Sequence, residues 1–75
     1  MVDFTEIRYD EDFIWAKAYH PKTKRHFDVK VNRKEWKCEI FPEDYDSDVF
    51  MAAGNLLVAL NRDEFLPEEY SVMWG

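Results

Sequence analysis

Seventy-five residues leave room for one hydrophobic core, so the chain reads as a single domain over 1–75. One cysteine, Cys38, excludes an internal disulfide, and the aromatic content of 17% reads as large side chains compensating for small size. No stretch approaches the roughly 18 apolar residues of a membrane span, and an acidic start without an apolar run, beside a free thiol, points to a cytoplasmic protein.

Residues 2–9 read as a first strand, with Thr5, Ile7 and Tyr9 on one face and Phe4, Glu6 and Arg8 on the other. Asp10-Glu11 closes a hairpin that brings Ile7 opposite Ile14. Residues 13–20 form the second strand. Its odd positions carry Phe13, Trp15, Lys17 and Tyr19, and its even positions carry Ile14, Ala16 and Ala18. Pro21 to Lys24 make the next connection. Residues 25–31 then alternate Phe27, Val29 and Val31 against His26, Asp28 and Lys30. This places Ala18 opposite Phe27, Ala16 opposite Val29, Ile14 opposite Val31 and Lys17 opposite Asp28.

Residues 34–41 alternate Trp36, Cys38 and Ile40 against Glu35, Lys37 and Glu39. A two-residue turn at Asn32-Arg33, preferred on charge to a four-residue loop that would set Lys30 against Lys37 and Asp28 against Glu39, sets Val29 against Trp36 and Phe27 against Cys38. On the polar side it sets Lys30 against Glu35 and Asp28 against Lys37, two unlike-charge pairs each contributing about 0.2–1 kcal/mol, and His26 against Glu39. The inner face then includes Trp36 and Cys38 beside the small Ala16 and Ala18, which let a helix sit close.

The helix is expected over 46–62. Asp44, Asp46 and Asp48 supply caps and first-turn acids that complement the helix dipole. Val49, Phe50, Ala53, Leu56, Leu57 and Leu60 recur at spacings of three and four. Met51 and Val58 widen the apolar surface, and the tail is expected to cover them. Leu66 to Tyr70 suggest one helical turn with Pro67 at its first position, and Ser71 to Trp74 can add to a sheet edge. The fold class is therefore α+β: a four-stranded antiparallel meander packed on one helix, with a C-terminal tail.

Reaction chemistry is hard to assemble from these residues. His20 and His26 flank the Pro21 loop, project to opposite sheet faces and read as loop histidines. Cys38 lies on the inner face away from His26, so no metal and no cofactor are expected. A cysteine between apolar neighbours has a raised pKa and packs as a core residue. Ser47 is better explained as a helix cap than as a nucleophile, and Gly54 inside the helix cannot cradle phosphate. The chain is not expected to be an enzyme.

Its surface is more informative. The polar sheet face carries Phe13, Trp15 and Tyr19, with Phe4 and Phe41, among Lys17, Lys30, Lys37 and Glu6; a solvated face has no need of such rings. The tail can fold over them, a partner protein can bind them, or they can stack nucleobases while Lys22, Lys24 and Arg25 engage phosphates. Charge is segregated along the chain. Residues 17–37 hold eight of the ten Lys/Arg and two acids, while the remainder holds two bases and fourteen acids. The acidic remainder, with Asp44, Asp46 and Asp48 at the helix start, can imitate nucleic-acid phosphates. In size, acidity and aromatic content the chain is similar in general character to phage-encoded anti-restriction and anti-CRISPR inhibitors. That likeness implies an inhibitor or modulator of a larger partner. The expectation is a non-enzymatic protein-interaction module acting through the sheet face or the acidic helix start. Nucleic-acid binding through hairpin 17–37 is the alternative, and homodimerisation through the aromatic face a further option.

Overall fold

A computed structural model describes residues 1–73 of the protein. Five strands and one helix follow in the order β1 (Val2–Tyr9), β2 (Phe13–His20), β3 (Arg25–Asn32), β4 (Lys37–Phe41), α1 (Ser47–Asp63) and β5 (Tyr70–Val72). The strands form one antiparallel sheet ordered β4-β3-β2-β1-β5. α1 lies across one face and leaves the other face open.

The central hairpin is the part of the sheet that alternation specifies best. β2 pairs β3 with Ala18 opposite Phe27, Ala16 opposite Val29, Ile14 opposite Val31 and Lys17 opposite Asp28, as the pattern requires. Every inward residue of β2 and β3 is apolar and buried, except His20 and its half-buried partner Arg25 at one end of the hairpin. A register slip of one would turn that whole set toward water.

α1 begins at Asp46, whose extended backbone carbonyl accepts the Val49 and Phe50 N–H groups. Asp48 in the first turn faces the positive end of the helix dipole. The helix ends at Glu64 in the left-handed region, whose N–H bonds the Leu60 carbonyl at 2.7 Å. Its inward stripe is Val49, Ala52, Ala53, Leu56, Leu57, Ala59 and Leu60. The three helix alanines, with Ala16 and Ala18 of the sheet, keep the two layers close.

Both outer pairings differ from expectation. β1 and β2 meet through a bulge between Thr5 and Arg8, with Glu6 at φ 51°. The extra residue reverses which side chains face inward. Val2 and Phe4 are buried before it and Ile7 after it, so Phe4 belongs to the core and not to the polar face. Tyr9, not Ile7, stands opposite Ile14. Ile7 N–H, released from the ladder, donates to the Glu68 carbonyl at 3.0 Å.

The β3–β4 connection is a four-residue loop, Arg33 to Trp36, and not a two-residue turn at Asn32-Arg33. Asn32 Oδ1 accepts the N–H groups of Lys34 and Glu35, both at 3.0 Å. The asparagine thus serves the loop through its side chain, where a tight turn would need Arg33 at φ > 0. Val29 pairs Ile40, Val31 pairs Cys38 and Asn32 pairs Lys37. The expected contacts of Lys30 with Glu35, Asp28 with Lys37 and His26 with Glu39 do not form, although Lys30 still meets an acid, Glu39. Trp36, expected inside, closes the loop at φ 56° and is 60% exposed.

The tail departs from expectation in part: Ser71 and Val72 do add to a sheet edge, but the preceding residues behave differently. Residues 67–69 form no helical turn. Leu66 is buried, its N–H reaches Tyr9 Oη at 3.4 Å, and the chain then runs back along β1 so that Val72 pairs Val2. The sheet gains a fifth strand at its edge, and Met51 and Val58 stay uncovered. Phe50, expected inward, is also exposed. Trp74 lies outside the described residues. Among the described residues no helix is long and apolar enough to cross a membrane.

Candidate interaction surface

The face of the sheet away from α1 is built in rows set by strand register. Arg8, Trp15, Lys30 and Glu39 form one row across β1 to β4. Thr5, Lys17, Asp28 and Phe41 form the next, and Asp3, Tyr19 and His26 a third. Phe13, Trp15 and Tyr19 all project here, because odd positions of β2 oppose the inward alanines. The described part of the tail continues the sheet sideways as β5 and does not cross this face.

Neighbouring side chains leave the rings half-buried. Lys30 Nζ sits 4.3 Å from the Phe13 ring centre and the Arg8 guanidinium 5.7 Å from the Trp15 ring. Phe13 and Trp15 lie 5.7 Å apart, and Tyr19 packs on His26 at 4.6 Å. Lys17 bonds Asp28 at 2.5 Å, which raises the lysine's pKa through that hydrogen bond and its charge. Phe41 is different: at the end of β4, just before a cis Phe41–Pro42 peptide, it is 68% exposed. A groove of about 650 Å³ runs between it and Trp15, walled by Asp28, Lys30, Glu39 and Tyr45. A second hollow of about 510 Å³ lies on the other side of Phe41, against Lys17, His26 and Pro42. Sequence alternation placed Phe41 on this face but not its isolation; the signal is Pro42, which ends the strand and removes neighbours on one side.

The acidic helix start and the basic loop meet at one end of the molecule. Arg25 donates to the Asp44 carboxylate at 2.7 Å and to its carbonyl at 3.0 Å, and the guanidinium holds the Asp44 carboxyl below its ordinary pKa. Arg25 also covers the Phe27 ring at 4.9 Å. His20 is not a loop residue. It is 2% exposed, with Nε2 at 3.4 Å from Asp48 and 3.9 Å from Asp46, and its Nδ1 has no partner among the described residues. Lys22 and Lys24 are exposed in the loop, Lys24 at φ 57°.

The charge segregation along the chain is bridged in space at two places: Arg25 meets Asp44 and Lys34 meets Asp12, each within 4 Å, while Lys17–Asp28 and Lys37–Glu35 pair within the basic segment itself. Antiparallel hairpins and the helix start interleave the two signs.

Cys38 packs half-buried against the core, and burial pushes its thiol pKa up. The structure brings it near neither histidine: β4 pairs it with Val31, far along β3 from His26. Among the described residues no three His, Cys, Asp or Glu side chains gather as a metal site would require. No protein-family model, no curated protein and no solved structure matches the chain.

Proposed function

We propose that the protein is a non-enzymatic interaction module that binds another protein through the open face of its sheet, with Trp15 and Phe41 as anchors. The observation that carries this reading is the groove that those two rings line together with Asp28, Lys30 and Glu39. Protein interfaces concentrate binding energy in buried aromatic anchors surrounded by a polar rim. Four strands of this length span roughly 500 Å² in projection, toward the low end for a specific interface. Affinity then depends on the few anchors and not on area.

The partner surface suited to this face offers an apolar side chain for the groove and charges of both signs around it. The acidic helix start supports a contact less well, since Arg25 engages Asp44 and His20 lies beside Asp46 and Asp48. Imitation of nucleic-acid phosphates draws little support for the same reason. Binding of nucleic acid through Lys22, Lys24 and Arg25 is weakened by the Asp44 contact, which leaves two loop lysines to meet phosphates. Inhibition of a larger partner is the role this module suits if its ligand surface is itself functional.

Affinity capture at low salt with the wild-type chain, Trp15→Ala and Phe41→Ala tests the reading. A protein retained by the wild type and lost at least tenfold with either variant is expected. Val58→Glu, on the opposite side of the molecule, serves as a control and should retain it. No retained protein, or one indifferent to both anchors, overturns the proposal. A salt-steep gain of fluorescence anisotropy with labelled oligonucleotides, abolished by Lys22→Glu/Lys24→Glu, would replace it with the nucleic-acid reading.

A further inference from the structure

β4 is one edge of the sheet. Along an antiparallel strand, the backbone N–H and C=O groups of successive residues turn to alternate sides. Asp10 N–H donates to the Phe13 carbonyl at 3.0 Å and Arg33 N–H to the Asp12 carbonyl at 2.8 Å. Carried through the register, this phase makes the odd residues of β3 bond β2. Its even residues, Asp28, Lys30 and Asn32, bond Phe41, Glu39 and Lys37. Cys38 and Ile40 therefore turn both of their backbone groups away from the sheet. Among the described residues no turn, loop or cap returns to bond them.

The two sides of this edge differ in chemistry. Toward the helix, Cys38 and Tyr45 are partly buried against the core, with Phe50 stacked on Tyr45 at 6.5 Å. Glu39 projects to the open side, and Glu43 follows Pro42; both line the groove beside Phe41. Among the described residues neither carboxylate lies within 4 Å of a base, and Lys30 turns to the Phe13 ring.

We propose that β4 takes up an extended segment of another protein as a sixth strand, one in which basic residues alternate with β-branched apolar ones. An extended chain presents donors and acceptors at the spacing that Cys38 and Ile40 leave open. Residues paired opposite Cys38 and Ile40 share their side of the sheet, so these are the apolar ones and cover Tyr45. The residue between them stands beside Glu39, where a lysine or arginine meets the carboxylate. A second copy fits less well. A two-fold pairing over the whole of β4 centres on Glu39 and sets it against its own symmetry mate. Centring on Cys38 sets Ile40 against the left-handed Trp36, and centring on Ile40 sets Cys38 against Pro42, which has no N–H. Trp15 lies three strand spacings, about 14 Å, from the added strand, so the inference goes beyond the open-face reading and stands without Trp15.

The probe is the blocked peptide acetyl-KVKVKVK-amide, titrated to about 2 mM into the isotope-labelled chain and followed by amide NMR. In the free chain, hydrogen exchange at Cys38 and Ile40 should be at least tenfold faster than at Glu39 and Phe41. The peptide should shift the Cys38 and Ile40 amides and slow their exchange. N-methylation of its valines, whose N–H groups face β4, should abolish binding, while N-methylation of its lysines should not. The acidic analogue acetyl-EVEVEVE-amide should bind at least tenfold more weakly, and Glu39→Lys should narrow that gap. Trp15→Ala should leave the titration unchanged. Protected Cys38 and Ile40 amides in the free chain, no peptide-induced shift, or undiminished binding of the valine-methylated peptide overturns the proposal. Loss of binding in Trp15→Ala assigns the peptide to the open face and overturns it equally, as does a peptide-free chain with the mass of two copies.

Discussion

Replacing Gly54 by alanine should make the monomer more stable. Glycine in a helix interior is less favourable than alanine by about 0.8–1.0 kcal/mol, because it loses more backbone freedom on folding. Usually a steric cost offsets part of that gain. At Gly54 the added methyl meets no atom within 4 Å and the backbone is not left-handed, so the gain should appear whole. Unfolding entropy near 2.1 cal/mol/K per residue gives about 0.16 kcal/mol/K for a chain of this length, so Tm should rise by about 6 °C. Thermal unfolding followed by far-ultraviolet circular dichroism gives the comparison. An unchanged or lower Tm would refute the reasoning, because it would show that Gly54 serves a contact inside the fold.

Other consequences follow from single residues. His20→Ala should cost about 2 kcal/mol in urea unfolding, as expected for a cavity left by a buried ring, while His26→Ala on the open face should cost under about 0.5 kcal/mol; equal losses would contradict the burial difference. Trp36 holds φ 56° with its ring mostly in solvent, so Trp36→Gly should stabilise by up to about 1 kcal/mol, and a loss would reveal a packing role for the ring. Asp10 accepts the N–H groups of Phe13 and Asp12 at 2.8 Å, and these bonds lower its pKa, the Phe13 bond most. Protonation therefore favours the unfolded chain. The stability that wild type holds over Asp10→Asn should be full above the unfolded carboxylate value of about 4 and vanish as pH falls through the lower folded value. A difference that stays constant down to pH of about 2 would count against this assignment.

What could be read from the residues depended on whether backbone irregularities left a mark. β2 and β3 alternate without interruption, and their register followed. β1 and β4 contain or adjoin left-handed residues that are not glycine: Glu6 at the bulge and Trp36 at the loop end. Lys24 plays the same part in the β2–β3 loop. With no glycine or asparagine at these places, neither the bulge nor the loop length was legible. A spacing of three between the apolar Phe4 and Ile7 was the available trace of the bulge. The position of His20 beside Pro21 suggested a loop, but the even parity of β2 directs its ring inward. Phe50 satisfied the apolar spacing of α1 yet lies outside, because Ala52 and Ala59 complete the inward stripe instead. The charge-free run from Val49 to Asn61 was visible from the start and marks the face that the chain leaves bare. Charge segregation in sequence is partly bridged by the fold, which sets Arg25 beside Asp44 and Lys34 beside Asp12.

Photo-crosslinking from position 41 tests recognition by the open sheet face most directly. Phe41 is exposed and borders the groove, so a benzophenone side chain there leaves the core untouched. Irradiation in the native extract should yield an adduct with a second protein species, competed by excess unlabelled chain and lost when Trp15→Ala is added. Absence of such an adduct, or one that persists without Trp15, would contradict the assignment of this face.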